Sequence, residues 1–240
     1  MAIGPYNRFA SSTGAYDRAL FDEGLRQHML RVFNYMTVGL IVTGLVAFFG
    51  AQSPALVAAI FGTPLKWVVM LAPIGFVFAL SAGINRMSSG TLRTVFFAYC
   101  AVMGLSLMSL FLVFTGASIA RVFFISAATF AGASLYGYTA KRDLTQFGSF
   151  LIMGVIGLVI ASLVNIFLAS SALQFAVSVL GVLIFTGLTA YDSQRIKEMY
   201  AESWGVEANT KLAVMGALSL YLDFINIFIS LMQLMGDRRN

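Results

Sequence analysis

Long apolar stretches alternate with short polar connections along almost the whole chain. Each stretch is close to the ~20 residues that a helix needs to cross ~30 Å of hydrocarbon. The pattern predicts seven transmembrane helices, at about 32–51, 67–85, 94–114, 120–140, 147–169, 173–197 and 212–236. The predicted fold class is therefore all-α: a polytopic membrane protein with one transmembrane domain over 32–236, a short tail at 237–240 and no soluble domain.

From Ala15 to Arg31, charges are interleaved with apolar side chains, among them Leu20, Phe21, Leu25 and Met29. This pattern is typical of an amphipathic helix lying in the membrane interface. We therefore predict a cytoplasmic N-terminal segment over 1–31 that contains an interfacial helix. The alternative is a polar segment with no ordered role.

The distribution of Lys and Arg predicts the orientation, because cytoplasmic loops carry an excess of both. An N-terminus on the cytoplasmic side places eleven basic residues there: Arg8, Arg18, Arg26, Arg31, Arg86, Arg93, Lys141, Arg142, Arg195, Lys197 and Lys211. Four remain on the other side: Lys66, Arg121, Arg238 and Arg239. We therefore expect the N-terminus inside and, with seven crossings, the C-terminus outside. A re-entrant sixth or seventh span would return the C-terminus to the cytoplasmic side.

The composition supports the membrane assignment and limits the classes of molecule that the protein is expected to bind. The 240 residues are 59% hydrophobic and 10% charged, whereas a soluble domain carries about 25% charged residues. A net charge of +5 suits anionic lipid headgroups. The basic residues are scattered and form no stripe, so we expect the lipid bilayer as a partner and no nucleic acid. The single cysteine, Cys100, excludes an intramolecular disulfide and a cysteine metal cluster.

Asp223 is the one charged residue within the last predicted span, Leu212–Gly236. An Asp at the centre of a membrane helix costs about 2.5–3.5 kcal/mol on insertion scales. The small and polar residues of this helix recur at spacings of 3 and 4, so they form one stripe along it: Gly216, Ser219, Asp223, Asn226, Ser230 and Gln233. Such a stripe should face other helices or a wet cavity, with Ser219, Asn226 and Ser230 supporting Asp223. The alternative is a structural polar seam in which these side chains only bind neighbouring helices.

A second acidic residue, Asp192, follows Thr186 and Thr189 on nearly the same face of the sixth span. Helix-forming residues continue beyond it, so we predict one long helix that keeps Asp192 inside the membrane boundary. Because a loop of about a dozen residues joins the sixth and seventh spans, Asp192 and Asp223 are predicted neighbours. The alternative for Asp192 is an ordinary interfacial charge beside Arg195.

Two carboxylates that meet in a low-dielectric environment cannot both ionise without a cation, so they would share a proton and titrate as one unit. They would form a pH sensor without a histidine, since His28 lies outside the predicted spans. A divalent cation would also balance the two negative charges of the carboxylates. Ca²⁺ takes six to eight oxygen ligands, so Asp192, Asp223 and Asn226 would offer it only a transient site.

Arg86 lies at the end of the second span, on the same predicted side as Asp192. A mobile bridge between the two would act as a latch over a pore. The alternative is a basic residue that only sets topology, with its charge in the headgroups.

Several chemistries have no support in the sequence. No predicted span contains a histidine, so intramembrane Ser–His and HExxH zinc proteolysis lack their base and ligands. A phosphate-binding loop and a mid-membrane lysine in the last two spans are also missing. We therefore expect no enzymatic activity and no bound cofactor.

Two segments, LTAYDSQRIKEMY (188–200) and ALSLYLDFINIFISLMQLMG (217–236), resemble the Bax inhibitor-1 family, the transmembrane Bax inhibitor motif group, in its bacterial branch. The segment 25–44 adds the pattern found at the start of the first span in bacterial members. The resemblance implies seven helices with the last one central and wrapped by the other six. It also implies a pH-sensitive Ca²⁺ leak, with paired aspartates at Asp192 and Asp223 and a bridging basic residue at Arg86. The long basic C-terminal tail of animal members is missing here.

The first functional hypothesis is a passive, pH-gated cation leak of the bacterial inner membrane, in which Ca²⁺ and protons are the partners and acid opens the latch. The alternative is a non-conducting membrane regulator that binds a membrane protease complex or another survival-pathway partner. A third hypothesis, proton-coupled transport through the same aspartates, would require uphill accumulation of a substrate.

Overall fold

Eight α-helices form the structure, a computed structural model that describes residues 6–84 and 86–239, with the backbone alone for 6–21 and 202. The helices are α1 (Tyr6–Ala51), α2 (Pro54–Phe61), α3 (Leu65–Gly83), α4 (Ser89–Val113), α5 (Gly116–Thr139), α6 (Thr145–Leu168), α7 (Ser171–Glu198) and α8 (Gly205–Met235). Seven stretches are long and apolar enough to cross a membrane: 22–51 of α1 and all of α3 to α8. The predicted all-α polytopic fold is confirmed.

The short helix α2 lies in the predicted connection between the first two spans and was not expected. Its start follows ordinary capping rules: the Ser53 hydroxyl accepts a hydrogen bond from the Leu56 amide at 3.3 Å, and Pro54 occupies the first turn. Ser88, Thr115 and Ser170 cap α4, α5 and α7 in the same way. Serine and threonine thus mark the start of these helices in the sequence.

The last helix, α8, is the centre of the bundle. In its most apolar stretch 67% of the residues are buried inside the protein, against 11% for α6. Helices α1, α4, α5 and α7 pack directly against α8. The expected ring of six is therefore incomplete: α3 packs mainly on α4, and α6 packs on α7, as an outer layer.

Helix α1 runs without a break through the predicted boundary between residues 31 and 32. Two of its apolar residues that were expected to face lipid, Leu25 and Met29, are instead buried in the main core. This face of α1 is therefore covered by protein at Leu25 and Met29. The side chains of Leu20 and Phe21 lie outside the described residues, and the interfacial placement of the segment stays a prediction.

The second half of α7 is fixed by buried polar contacts to α5 and to the connection between α5 and α6. The Gln194 side chain accepts a hydrogen bond from the Leu144 amide at 2.8 Å and donates one to the Arg142 carbonyl at 2.9 Å. The hydroxyls of Ser134 and Ser193 are 2.9 Å apart. Neighbouring residues of a helix point about 100° apart. Since Ser193 and Gln194 point toward α5 and the connection after α5, Asp192 lies on a different side of α7.

The tail after α8 is tied back to the link between α4 and α5. The Arg239 amide donates to the Val113 carbonyl at 2.9 Å, and the Thr115 amide donates to the Asp237 carbonyl at 3.0 Å. Arg121 forms an ion pair with the Asp237 carboxylate at 3.0 Å. These bonds form an isolated antiparallel bridge between Phe114 and Arg238, so the tail has a defined position.

Candidate functional site

The polar stripe of α8 faces α7 along its whole length. Close approach is possible because glycines lie on both sides: a side chain at Gly216 would meet Ile196, and one at Gly181 would meet the Ser230 hydroxyl at 2.5 Å. Small residues of this kind let membrane helices pack backbone to backbone. The seam between α7 and α8 is therefore both tightly packed and polar.

Asp223 lies in the middle of this seam and is only 4% exposed. Its Oδ2 atom is buried and has no hydrogen-bond partner among the described residues. A buried ionised carboxylate without a partner costs more than a buried neutral polar group without one. The Asn226 amide does not relieve it, because it donates to the Leu222 carbonyl of its own helix at 2.8 Å.

Asp192 of α7 lines the same cavity as Ser219, which lies one turn before Asp223 on α8. The packing of α7 on α8 therefore brings the two carboxyl groups to the same part of the seam. In the described part of the chain no hydrogen bond joins them and neither forms an ion pair. The shared proton stays a prediction, since this conformation contains no direct carboxyl–carboxyl hydrogen bond.

A cavity of about 300 Å³ leads to Asp192 from the end of the bundle where α7 and α8 are joined. It is bounded by α1, α7, α8 and, at Ile84, the end of α3. Its polar lining comes from His28, Asp192, Arg195 and Ser219. Ser219 lies one helical turn before Asp223, so the cavity ends about one turn short of the buried carboxyl group.

His28 belongs to this cavity, which corrects the expectation that the site contains no histidine. Helix α1 runs unbroken through residues 22–51, a stretch long and apolar enough to cross a membrane, and His28 belongs to this stretch. The ring is 3% exposed, neither nitrogen has a hydrogen-bond partner among the described residues, and the ring lies 5.3 Å from that of Tyr200. Arg26 and Arg31 flank His28, so a hydropathy-based prediction begins the first span after it.

Arg86, the predicted latch, is exposed and forms no ion pair within the described residues. The arginine that lines the cavity together with Asp192 is Arg195, three positions later on the same helix. The i, i+3 spacing was the available sequence signal for this proximity. The Arg86 latch stays a prediction and requires a conformation other than this one.

Beyond Asp223 the seam continues as a chain of polar side chains toward the opposite surface. Ser178 donates to the Gln233 amide oxygen at 3.0 Å, and Gln174 binds both Gln233 and Asn165. Gln174 and Ser178 were missed in the sequence, although they lie one turn apart on α7. Together with the cavity, they make the α7–α8 seam polar from one end to the other, with Asp223 as its most enclosed charge.

The site offers few ligands for stable metal binding. No cluster of three or more His, Cys, Asp or Glu side chains that would hold a metal ion occurs in the part of the chain that the structure describes. Asp192 and Asp223 supply two carboxylates, whereas Ca²⁺ takes six to eight oxygens. A Ca²⁺ ion in this seam would therefore depend on water for most of its ligands.

The cavity predicts that Ser219 is accessible to water while a neighbour on α8 is not. A Ser219→Cys variant should react with a small hydrophilic thiol reagent, because Ser219 lines the cavity. Ala217→Cys is the matched control, since Ala217 is 0% exposed. The native Cys100 is also 0% exposed and should contribute no background. Equal labelling rates at positions 217 and 219 would contradict a water-filled cavity.

Comparisons with known proteins extend over nearly the whole chain. A family model described as "Inhibitor of apoptosis-promoting Bax1" matches residues 25–240. The chain is 44% identical to inner membrane protein YbhL of Escherichia coli over 219 residues, which cover 90% of this chain and 94% of the relative. It is 47% identical to an uncharacterised protein of Rickettsia prowazekii over 220 residues, 92% of this chain and 93% of the relative. An uncharacterised protein of Caulobacter vibrioides is 44% identical over 246 residues, 98% of each chain.

Proposed function

The chain belongs to the Bax inhibitor family, and on this basis we propose that it is a pH-sensitive passive leak for Ca²⁺ across the bacterial inner membrane. It is a multi-pass membrane protein, and the similarity to an inner membrane protein supports that location. We further propose that the N-terminus is cytoplasmic, from the excess of basic residues on that side. The cavity beside Asp192 would then open toward the cytoplasm.

The observation that carries the proposal is the pair of acidic side chains without ion-pair partners in the α7–α8 seam. Asp223 is buried and one of its oxygens is unpaired among the described residues, and Asp192 lines the cavity that ends one turn away from it. Ionisable residues inside membrane helices are costly, and they typically mark ion or proton pathways. A cation entering the seam would supply the positive counter-charge that both carboxylates lack.

The polar residues on either side of Asp223 line the proposed route of the ion through the seam. A hydrated ion would enter through the cavity lined by Asp192 and Ser219 and would pass Asp223 as the narrowest point. It would leave along Ser230, Ser178 and Gln233. Conduction requires sites that bind strongly enough to admit the ion and weakly enough to release it. Two carboxylates with water satisfy this requirement better than a closed cage of ligands.

Uptake of one proton by the aspartate pair, at Asp192, is the proposed gating event. A basic side chain held against ionised Asp192, Arg86 in the predicted closed state or Arg195 on the same helix, loses its attraction when Asp192 takes up a proton. The seam is then free to open, so flux should rise as pH falls. The non-conducting alternative, a regulator of a membrane protease complex, requires no such response.

Reconstitution into liposomes tests the proposal. Purified full-length protein in liposomes loaded with a Ca²⁺ indicator should admit Ca²⁺ down its gradient, faster at mildly acidic than at mildly alkaline pH. Protein-free liposomes with the same proton gradient give the background. Flux that never exceeds this background at any pH would overturn the leak and favour the non-conducting regulator.

A further inference from the structure

A second and larger cavity, of about 590 Å³, lies toward the end of the bundle opposite the Asp192 cavity. Its volume is within the range of about 300–1,000 Å³ that holds small ligands in proteins. Helices α1, α4, α5 and α8 form its walls. Helices α1 and α5, on opposite sides of it, do not pack closely on each other. Phe48 of α1 and Phe124 of α5 line the cavity and are themselves exposed, so it opens sideways between these two helices.

The lining of this cavity is apolar except at one end. Its inner part is formed by aliphatic and aromatic side chains, such as Leu40, Leu107 and Phe228. The one hydroxyl there, that of Thr43, is already bonded to the Cys100 carbonyl at 2.8 Å and to the Tyr221 hydroxyl at 2.7 Å. The interior therefore offers no free hydrogen-bonding group to a polar ligand.

The two remaining polar residues, Gln52 and Arg239, lie at the end of the cavity formed by the last turn of α1, the start of α5 and the end of the chain. Arg239 is held there by its backbone bond to Val113. The nearby acidic group, Asp237, is engaged by Arg121. Within the described part of the chain Arg239 itself forms no ion pair, so this mouth presents an uncompensated positive charge.

We propose that this cavity binds an anionic phospholipid of the surrounding bilayer, with one acyl chain in the apolar interior and the headgroup against Arg239. The side opening gives access from the bilayer, the lining matches a hydrocarbon chain, and the charge at the mouth matches an anionic headgroup. Arginine suits such a headgroup because its planar fork binds phosphate oxygens bidentately. The proposal is independent of cation flux and stands or falls separately from the leak.

The charge at the mouth is tested with a pair of adjacent variants. Full-length protein is reconstituted in nanodiscs of equimolar phosphatidylglycerol and phosphatidylethanolamine, and the lipids it retains after mild delipidation are counted by native mass spectrometry. The wild type should retain phosphatidylglycerol in preference to phosphatidylethanolamine. Arg239→Gln should reduce this preference about fivefold, the effect expected for one basic residue near an anionic surface. Arg238→Gln is the matched control, because Arg238 does not line the cavity, and it should keep the wild-type ratio.

The interior is tested with a variant that fills it. A Cβ atom added at Gly44, which lines the cavity, meets no heavy atom within 4 Å. Gly44→Leu should therefore extend into the cavity without a backbone clash and abolish the retention of either lipid. Gly157→Leu, on α6 with equally open space around it, should retain lipid like the wild type. Retention by Gly44→Leu, a wild-type lipid ratio in Arg239→Gln, or equal losses in both members of either pair would overturn the proposal.

Discussion

Replacing Asp223 by asparagine is expected to lower Ca²⁺ flux in liposomes by at least about tenfold and to flatten its dependence on pH. Asparagine keeps the size of the side chain but removes the charge and the proton. A tenfold effect corresponds to only ~1.4 kcal/mol, which is small beside the interaction of a divalent cation with a carboxylate in a partly dehydrated seam. The measurement is the initial rate of indicator fluorescence over the same pH range as for the wild type.

Two further variants make this result interpretable. Asp22→Asn removes an exposed carboxylate from α1, away from the cavity, and should leave flux unchanged. If Asp192 and Asp223 act as one unit, the double Asn variant should lose little more than Asp223→Asn alone, because the effects of coupled sites are not additive. An Asp223→Asn protein with the rate and pH profile of the wild type would remove the aspartate pair from the mechanism.

Replacing Gly137 by alanine is expected to destabilise the protein by about 1–3 kcal/mol, the usual cost of overpacking. A methyl carbon at Gly137 would lie 2.7 Å from the carbonyl carbon and 2.8 Å from the Cα atom of Ala190, and closer still to the carbonyl oxygen. Backbone atoms cannot rotate away as a side chain can, so α5 and α7 must separate. The thermal unfolding midpoint in detergent, read from helical circular dichroism, should fall.

Gly132 of the same helix provides the matched control. A methyl group there meets no heavy atom within 4 Å, and alanine favours a helix over glycine by about 1 kcal/mol. Gly132→Ala should therefore unfold at the wild-type temperature or slightly above it. If both variants behave alike, the close approach of α5 and α7 at Gly137 is contradicted.

The membrane helices were predictable because hydrocarbon imposes one strong requirement, a run of apolar residues long enough to cross it. The polar stripe on the last span was predictable for the same reason, since Asp223 has no favourable place against lipid. Its partner helix followed from chain connectivity, because a short loop joins α7 to α8. These features depend on local pattern and on neighbours in sequence.

Features that depend on long-range packing could not be predicted in the same way. His28 lines the Asp192 cavity because α1 packs against α7 and α8, which the charged residues around His28 do not indicate. The position of Arg86 depends on how α3 packs outside α4, which no pattern within α3 specifies. The larger cavity exists because α1 and α5 remain apart, and a gap between two helices leaves no mark in the sequence of either one.

The bridge between the tail and the α4–α5 link limits how the central helix can move. One end of α8 is tied by the backbone bonds at Val113 and Thr115. Near the other end, the Asn209 side chain donates to the Ala201 carbonyl of the connection between α7 and α8 at 2.8 Å. A displacement of α8 along its axis would break the backbone bonds of the tail, whereas tilting of α7 away from α8 would leave those bonds intact. We therefore expect α8 to stay in place during any opening, and the helices around it to move.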